Sequence, residues 1–326
     1  MRTMFVACLT LLLTGAAPAA AQTTLLKVGI SEPVNTVLAV WMADAAGFYA
    51  ANGIKVEITN MQGGSRGAQE LAAGRIDVMH VGLSSVVRLN RGGADLRLIA
   101  SLSNVIRFTF FSTPAVKTAA DLKGGVVAVS SFGSESDATV TLALKKLGLT
   151  REDVTLKEFG GGRRRLDALK AGEIKATSVN EPIASLAREQ GMTVLVDLVP
   201  DQIPWLFSGL VVQRGALDSR RDLLKRFIKA TIEGNYLALS DPARAKEVLA
   251  RETRITDAKV IEIGYNDFRA QAPHNTELSI EGARNILALF PASGSQNLAD
   301  YMDAAIIEDL RKDGTLAALE QKYGKR

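Results

Sequence analysis

The chain repeats itself. Residues 63–76, GGSRGAQELAAGRI, align without gaps on residues 161–174, GGRRRLDALKAGEI. Gly63/Gly161, Gly64/Gly162, Leu71/Leu169, Ala73/Ala171, Gly74/Gly172 and Ile76/Ile174 are identical pairs. Self-similarity of this kind means that one structural unit is built twice, so two similar bodies are expected rather than one continuous core.

Each copy sits in the same context. A short β-type run ending in serine precedes it, residues 27–31 in the first unit and 126–130 in the second. A helical pattern, a second strand, the repeat's own helix and a third strand complete each unit as β-α-β-α-β. In the first unit the helices are expected over 36–49 and 65–73, with strands over 55–59 and 76–81. In the second, helices over 134–147 and 163–171 accompany strands over 154–158 and 176–179. Gly74 and Gly172 stand where a helix must stop, and glycine adopts the left-handed conformation that closes such an end. Alternating strands and helices predict parallel sheets covered on both faces.

The strand-like runs 97–102 and 107–112 lie between the units and predict a crossover hinge. A further apolar run, 205–213, can return to the first lobe, and helical patterns follow over 217–239, 242–252, 257–268 and 298–323. The expected organisation is a signal peptide over 1–21, a first lobe over 22–105, a second over 106–205, and a return to the first lobe with C-terminal helices over 206–326.

The signal reading rests on Arg2, the apolar run from Met4 to Leu13, and Ala19-Ala20-Ala21 before Gln22, the layout of a cleavable secretory leader. It predicts a soluble periplasmic protein. Cys8, the single cysteine, would leave with the leader, which removes thiol nucleophiles, disulfides and cysteine metal ligands from the mature chemistry. The formal net charge of +4 is spread thinly over 326 residues, so no nucleic-acid partner is expected. Neither a phosphate-binding Walker loop nor a dinucleotide glycine fingerprint occurs, and no cofactor or metal is expected.

Trp41 to Tyr49 followed by Gly53 to Glu57, then Leu71 to Val78, then Leu122-Lys123-Gly124 before 126–130, together resemble the periplasmic binding proteins for aliphatic sulfonates, taurine and nitrate. That family is related to binders of thiamine-pyrimidine precursors, and the resemblance spans nearly the whole mature chain. It implies a type II two-lobed α/β fold. It also implies a monomeric, non-enzymatic solute-binding component that closes on a small molecule and delivers it to an ABC permease in the inner membrane. A related fungal branch makes the pyrimidine itself through a cysteine-rich motif, which a mature chain without cysteine lacks.

Ligands in such sheets bind beyond the carboxyl ends of the strands, at helix N-termini. From the first lobe the candidates are Ser31, Asn35, Gly64, Ser65, Ser84 and Ser85. From the second they are Ser131, Gly133, Ser134, Arg163, Asn180 and Glu181, with Gly162 beside Arg163. Each serine is equally readable as a helix cap and each glycine as a turn. Arg107, in the crossover, can clamp an acid group or lie on the surface. Arg163, Arg164 and Arg165 at a helix start oppose the helix dipole, so an anion would relieve them. These arginines favour a sulfonate-like anion, whereas Glu181 and the aromatic pair Trp205 and Phe207 keep a pyrimidine or aromatic ligand open, for a permease, a sensor or an enzyme.

One enzymatic reading competes. Gly63-Gly64-Ser65-Arg66-Gly67 matches the nucleophile elbow of serine hydrolases, placed between a strand and a helix. A triad needs a histidine, and only His80 and His274 exist, of which His274 follows at a plausible separation. The second repeat carries Arg163 in place of Ser65, which points to shared loop geometry rather than a nucleophile.

Overall fold

The computed structural model describes residues 23–324; the predicted leader and Cys8 lie outside them. Ten strands run β1 (Thr24–Ile30), β2 (Ile54–Asn60), β3 (Val78–Val81), β4 (Leu96–Val105), β5 (Phe108–Ser112), β6 (Val126–Val129), β7 (Thr155–Glu158), β8 (Ala176–Asn180), β9 (Thr193–Asp197) and β10 (Pro204–Gln213). They form two five-stranded sheets, ordered β2-β1-β3-β10-β4 and β7-β6-β8-β5-β9. The two orders are the same pattern, with β6, β7 and β8 standing where β1, β2 and β3 stand. The aligned repeats therefore occupy equivalent places, after β2 and after β7.

The sheets are mixed rather than wholly parallel. β10 runs antiparallel to β3 and β4, and β5 antiparallel to β8 and β9. Both exceptions are strands that arrive directly from the other sheet. β4 passes into β5 through Ile106 and Arg107, and β9 returns to β10 through residues 198–203. A strand entering from the opposite side has no crossover helix to reverse it, so it lies antiparallel.

Helices cover both sheets. Gly74 (φ 70°) and Gly172 (φ 75°) end the two repeat helices, Gly64–Ala72 and Gly162–Lys170, in the left-handed conformation expected of them. Three long helical expectations are broken. The 36–49 segment divides at Gly47 (φ 74°), the C-terminal one at Gly314 (φ 81°), and 217–239 divides near Arg220 into Arg214–Ser219 and Arg221–Ser240. The last of these helices lies so close to Leu38–Ala45 that a Cβ on Gly234 would stand 2.4 Å from Ala39 O. One apolar core cluster continues across both sheets through Phe108, Trp205 and Phe207, so the lobes touch over buried apolar surface as well as through their two connections.

Candidate functional site

The carboxyl ends of β1, β3, β6 and β8 face one another between the sheets, and their turns enclose an inner chamber of about 50 Å³. Ser31, Glu32 and Thr36 come from the turn after β1, His80 from β3, and Gly64 from the first repeat. Ser134, Glu135 and Asn180 face them from the second sheet, and Phe207 and Ser208 from β10. Phe108 and Phe207 form its apolar corner, edge to face with ring centroids 5.1 Å apart.

The serines hold the turns in shape. Ser31 Oγ donates to His80 O at 2.8 Å. Ser134 caps the helix Glu135–Lys146 through Asp137 N, and the hydroxyls of Ser130, Ser134 and Ser136 form a triangle with every edge 2.9 Å. Capping and lining thus fall on the same residues, because a helix N-terminus that faces a cleft needs both. His80 Nε2 lies 2.6 Å from Ser208 Oγ and 3.3 Å from Thr36 Oγ1, while its Nδ1 is buried without a partner. Burial pushes this imidazole down to about 4, so it is neutral near pH 7.

Glu135 begins a helix of the second lobe but is bound by groups on the other side of the cleft. Its carboxylate accepts from Ser84 N at 2.8 Å, Ser84 Oγ at 2.9 Å and Trp205 Nε1 at 2.6 Å. Burial raises its pKa to about 7 even against those three donors. Glu32 makes the reciprocal contact, accepting from Gly162 N with Arg165 Nη2 at 3.7 Å. Each acid therefore occupies the positive end of a helix in the opposite lobe, Glu135 at Leu83–Arg91 and Glu32 at Gly162–Lys170, where an anionic ligand would otherwise bind.

An outer chamber of about 420 Å³ opens beyond these contacts, bordered by Ser65, Arg66 and Arg88 from the first lobe and Ser131, Glu158 and Arg164 from the second. The lobes touch at its floor, where Ser65 N donates to Ser131 Oγ at 3.3 Å and Arg88 crosses over Gly133. A Cβ on Gly133 would stand 1.9 Å from Arg88 Cδ, so only glycine allows the crossing. A larger hollow of about 810 Å³ lies away from the cleft, and Arg91 within it is bonded to Pro291 O and stacked on Phe290.

Among the expected residues, Ser31, Gly64, Ser134 and Asn180 line the inner chamber and Ser65 and Ser131 the outer one. Ser84 binds Glu135, Gly133 lies beneath Arg88, and Ser85 Oγ is 3.3 Å from Ser65 Oγ. Arg107, Asn35, Glu181 and Arg163, like Ser84, Gly133 and Ser85, line neither chamber. Arg107 is paired with Asp267 (Nε–Oδ1 2.8 Å), and Asn35 Nδ2 donates to the same carboxylate at 2.8 Å. Glu181 is turned to Arg188 Nη1 (2.8 Å) and Ser185 N (3.0 Å). Arg163 is exposed because Arg165, two residues and about 200° further round the helix, takes the inward position. The sequence reading passed over Glu32 and Glu135, and it took Trp205 and Phe207 only as aromatics that keep a ring-shaped ligand open. Trp205 is buried, yet its indole N–H reaches Glu135, and Phe207 lines the chamber.

Ser65 has no histidine partner in this arrangement. His80 bonds to Ser208 and Thr36, and the His274 ring lies against Tyr236, 6.1 Å between centroids. Among the described residues, no three of His, Cys, Asp and Glu converge as a metal site, and no helix is long and apolar enough to cross a membrane.

Two similar lobes of this strand order, joined by two crossings with a cleft between their carboxyl rims, define the periplasmic binding protein fold. The chain belongs to the NMT1/THI5-like family, whose model matches residues 35–245. It is similar to the riboflavin-binding protein RibY of Chloroflexus aurantiacus, 27% identical over 213 residues. That alignment covers 63% of this chain and 59% of the relative's length. The ligand-binding component of an ABC-type import system from Staphylococcus aureus, solved with zinc bound, superposes with a TM-score of 0.71 at 13% identity. It covers 88% of this chain and 98% of that one. The alkanesulfonate-binding protein SsuA of Xanthomonas axonopodis pv. citri, bound to MOPS, superposes at 0.68 with 20% identity, covering 83% and 92%.

Proposed function

We propose that this chain is the periplasmic solute-capturing component of an ABC import system. A small molecule bridges the two rims, shifts the lobes toward the closed arrangement, and is presented to a membrane permease. The observation that carries this reading is the reciprocal engagement of Glu135 and Glu32 across the cleft, since two bodies joined only at a hinge gain such buried contacts on closing. The inner chamber of about 50 Å³ is far below the roughly 300 Å³ of small ligand pockets. A solute therefore enters with the lobes parted.

The inner chamber favours the aromatic alternative over the sulfonate. Both helix ends that would attract an anion are already capped by Glu32 and Glu135, and His80 is neutral. Phe108 and Phe207 suit a flat ring, and the two carboxylates suit N–H donors at its edge. The similarity to a riboflavin-binding protein accords with such a ring.

A thermal-shift panel of riboflavin, pyrimidines, aromatic carboxylates, sulfonates, taurine and nitrate tests the reading. Saturation at about 100 times Kd stabilises by about 2.7 kcal/mol, and solution scattering should show the radius of gyration falling with the same compound. Stabilisation without any change in lobe angle argues against closure. Silence across the panel, with ester turnover that disappears in Ser65→Ala, restores the hydrolase.

A further inference from the structure

Arg165 in the second repeat stands where the first repeat has Gly67. The residue that reaches each repeat helix from the opposite lobe changes with it. Glu32 meets the helix that carries Arg165, and the neutral Ser131 meets the one that carries Gly67. Gly67 has no room for a side chain, since a Cβ there would collide with Met79. Arg165 is fully buried, donating through Nε to Gly160 O at 3.0 Å and through Nη1 to Thr177 Oγ1 at 3.1 Å and to Ser178 O. Its Nη2 is buried without a hydrogen-bond partner and lies 3.7 Å from Glu32 Oε1.

A buried guanidinium with an unused donor, beside the N-terminus of a helix, is a receptor for a carboxylate. Glycine keeps it reachable: Cβ atoms on Gly161 and Gly162 would stand 3.4 and 3.0 Å from Glu32 Oε2, crowding an acid away from the helix N–H groups. Glu32 arrives from the other lobe, accepts from Gly162 N, and lines the inner chamber with the rest of its side chain. An ion pair shaped for strength alone would use the guanidinium fork, whereas at 3.7 Å Nη2 stays unbonded. A second carboxylate cannot share the place, because two like charges at one site repel. Being tethered, Glu32 competes there at an effective concentration of about millimolar or more, so weakly held free acids are kept out.

We propose that Glu32 sets the ligand class of the cleft: it occupies, as a tethered acid, the carboxylate receptor formed by Arg165 and the start of Gly162–Lys170, and so excludes solutes that carry an acid group at that place. This deepens the reading of the inner chamber as a site for a ring with N–H donors and rests on that reading for the solute, though not for the occupancy of the receptor. A solute that reaches Glu32 meets an acceptor where the helix end and Arg165 alone would have presented donors, and discrimination comes from the repulsive element as much as from the attractive one.

The test is chemical rescue by acetate, which supplies the atoms that Glu32→Ala deletes. Wild type, Glu32→Ala, Glu32→Gln and Ser131→Ala are melted in sodium acetate and in sodium chloride of equal ionic strength. Acetate at a few times its dissociation constant should raise the melting temperature of Glu32→Ala by about 2–4 °C over chloride. The other three should not respond: wild type has the receptor filled, glutamine fills it without charge, and loss of Ser131 uncovers no cation. An equal acetate shift in wild type or in Glu32→Gln, or none in Glu32→Ala, overturns the proposal. If Glu32→Ala does not fold in chloride, refolding yield replaces the melting temperature: recovery in acetate supports the receptor, and failure in both salts overturns it. The solute panel then carries the specificity. Its aromatic carboxylates and sulfonates should stabilise Glu32→Ala at concentrations about tenfold or more below those wild type needs, and an equal response of the two proteins overturns the exclusion. Acetate rescue with no solute stabilising wild type leaves the role of Glu32 standing and removes the solute-capture reading instead.

Discussion

Glu32 and Ser131 follow equivalent strands of the two repeats, and each accepts a backbone N–H from the start of the opposite repeat's helix, Glu32 from Gly162 and Ser131 from Ser65. The lobes therefore grip each other by a pseudo-twofold exchange in which one hand is charged and the other is not.

That inequality has a measurable consequence. Glu32→Ala removes the carboxylate nearest Arg165, a fully buried guanidinium whose pKa burial already lowers. It should cost about 3 kcal/mol in chemical denaturation, in the range for breaking a buried pair. Ser131→Ala removes one neutral hydrogen bond and should cost about 1 kcal/mol. Equal losses would contradict the assigned charge of the two contacts.

Glu135 makes stability depend on pH. Its carboxyl is raised to about 7 by burial, above the ordinary glutamate value of 4.5, so the folded protein binds this proton more tightly than the unfolded chain. Its contribution to stability is therefore greatest in acid and declines as pH rises from about 4.5 to 7, by up to roughly 1.4 kcal/mol per unit. His80 has the opposite sign, since burial lowers it to about 4 from 6.5 and its stabilising contribution is lost on acidification. The difference in unfolding free energy between wild type and Glu135→Gln isolates the first effect. It should grow in favour of wild type as pH falls from 7, and a pH-independent difference counts against it.

Arg107 is held by a carboxylate at the β4–β5 crossing. It ties the β4–β5 crossing to Asp267, which also accepts from Asn35 and from Gln271 Nε2 at 2.7 Å. Asp267→Ala leaves a guanidinium that is only 11% exposed without its partner, and should destabilise by about 3–5 kcal/mol. Removing Asp95, the 66% exposed partner of Arg97, should change stability by less than about 1 kcal/mol. Urea midpoints of the two variants decide the matter.

Gly74→Ala and Gly172→Ala should each cost about 1–2 kcal/mol through backbone conformation alone, since a Cβ at Gly74 comes no nearer than 3.7 Å to another residue and one at Gly172 meets nothing within 4 Å. Lying in different lobes, they should add in the double variant. Thermal denaturation of the three variants checks this.

The repeat, the strands and the crossing between 102 and 107 were readable because their signals are local: alternating apolar residues, glycine stops, a serine at each strand end. What escaped depends on the other lobe. Nothing near Glu135 announces that Ser84 and Trp205 close on it, and Arg107 reads as surface until Asp267 arrives from 160 residues away. The arginine triplet was legible as an unrelieved charge, but helix phase alone cannot say which side meets the cleft. The direction of β5 and β10 was equally hidden, because an apolar run packs well whichever way it points.

The position of β10 has a consequence for how the chain is made. It lies between β3 and β4, yet it comes after the whole second sheet in sequence. A nascent chain that has emerged only as far as β4 holds a sheet with its interior strand missing: β3 is paired on its β1 side alone, and β4 has no strand on which to pair. The lobe that begins first during synthesis is thus the one that finishes last.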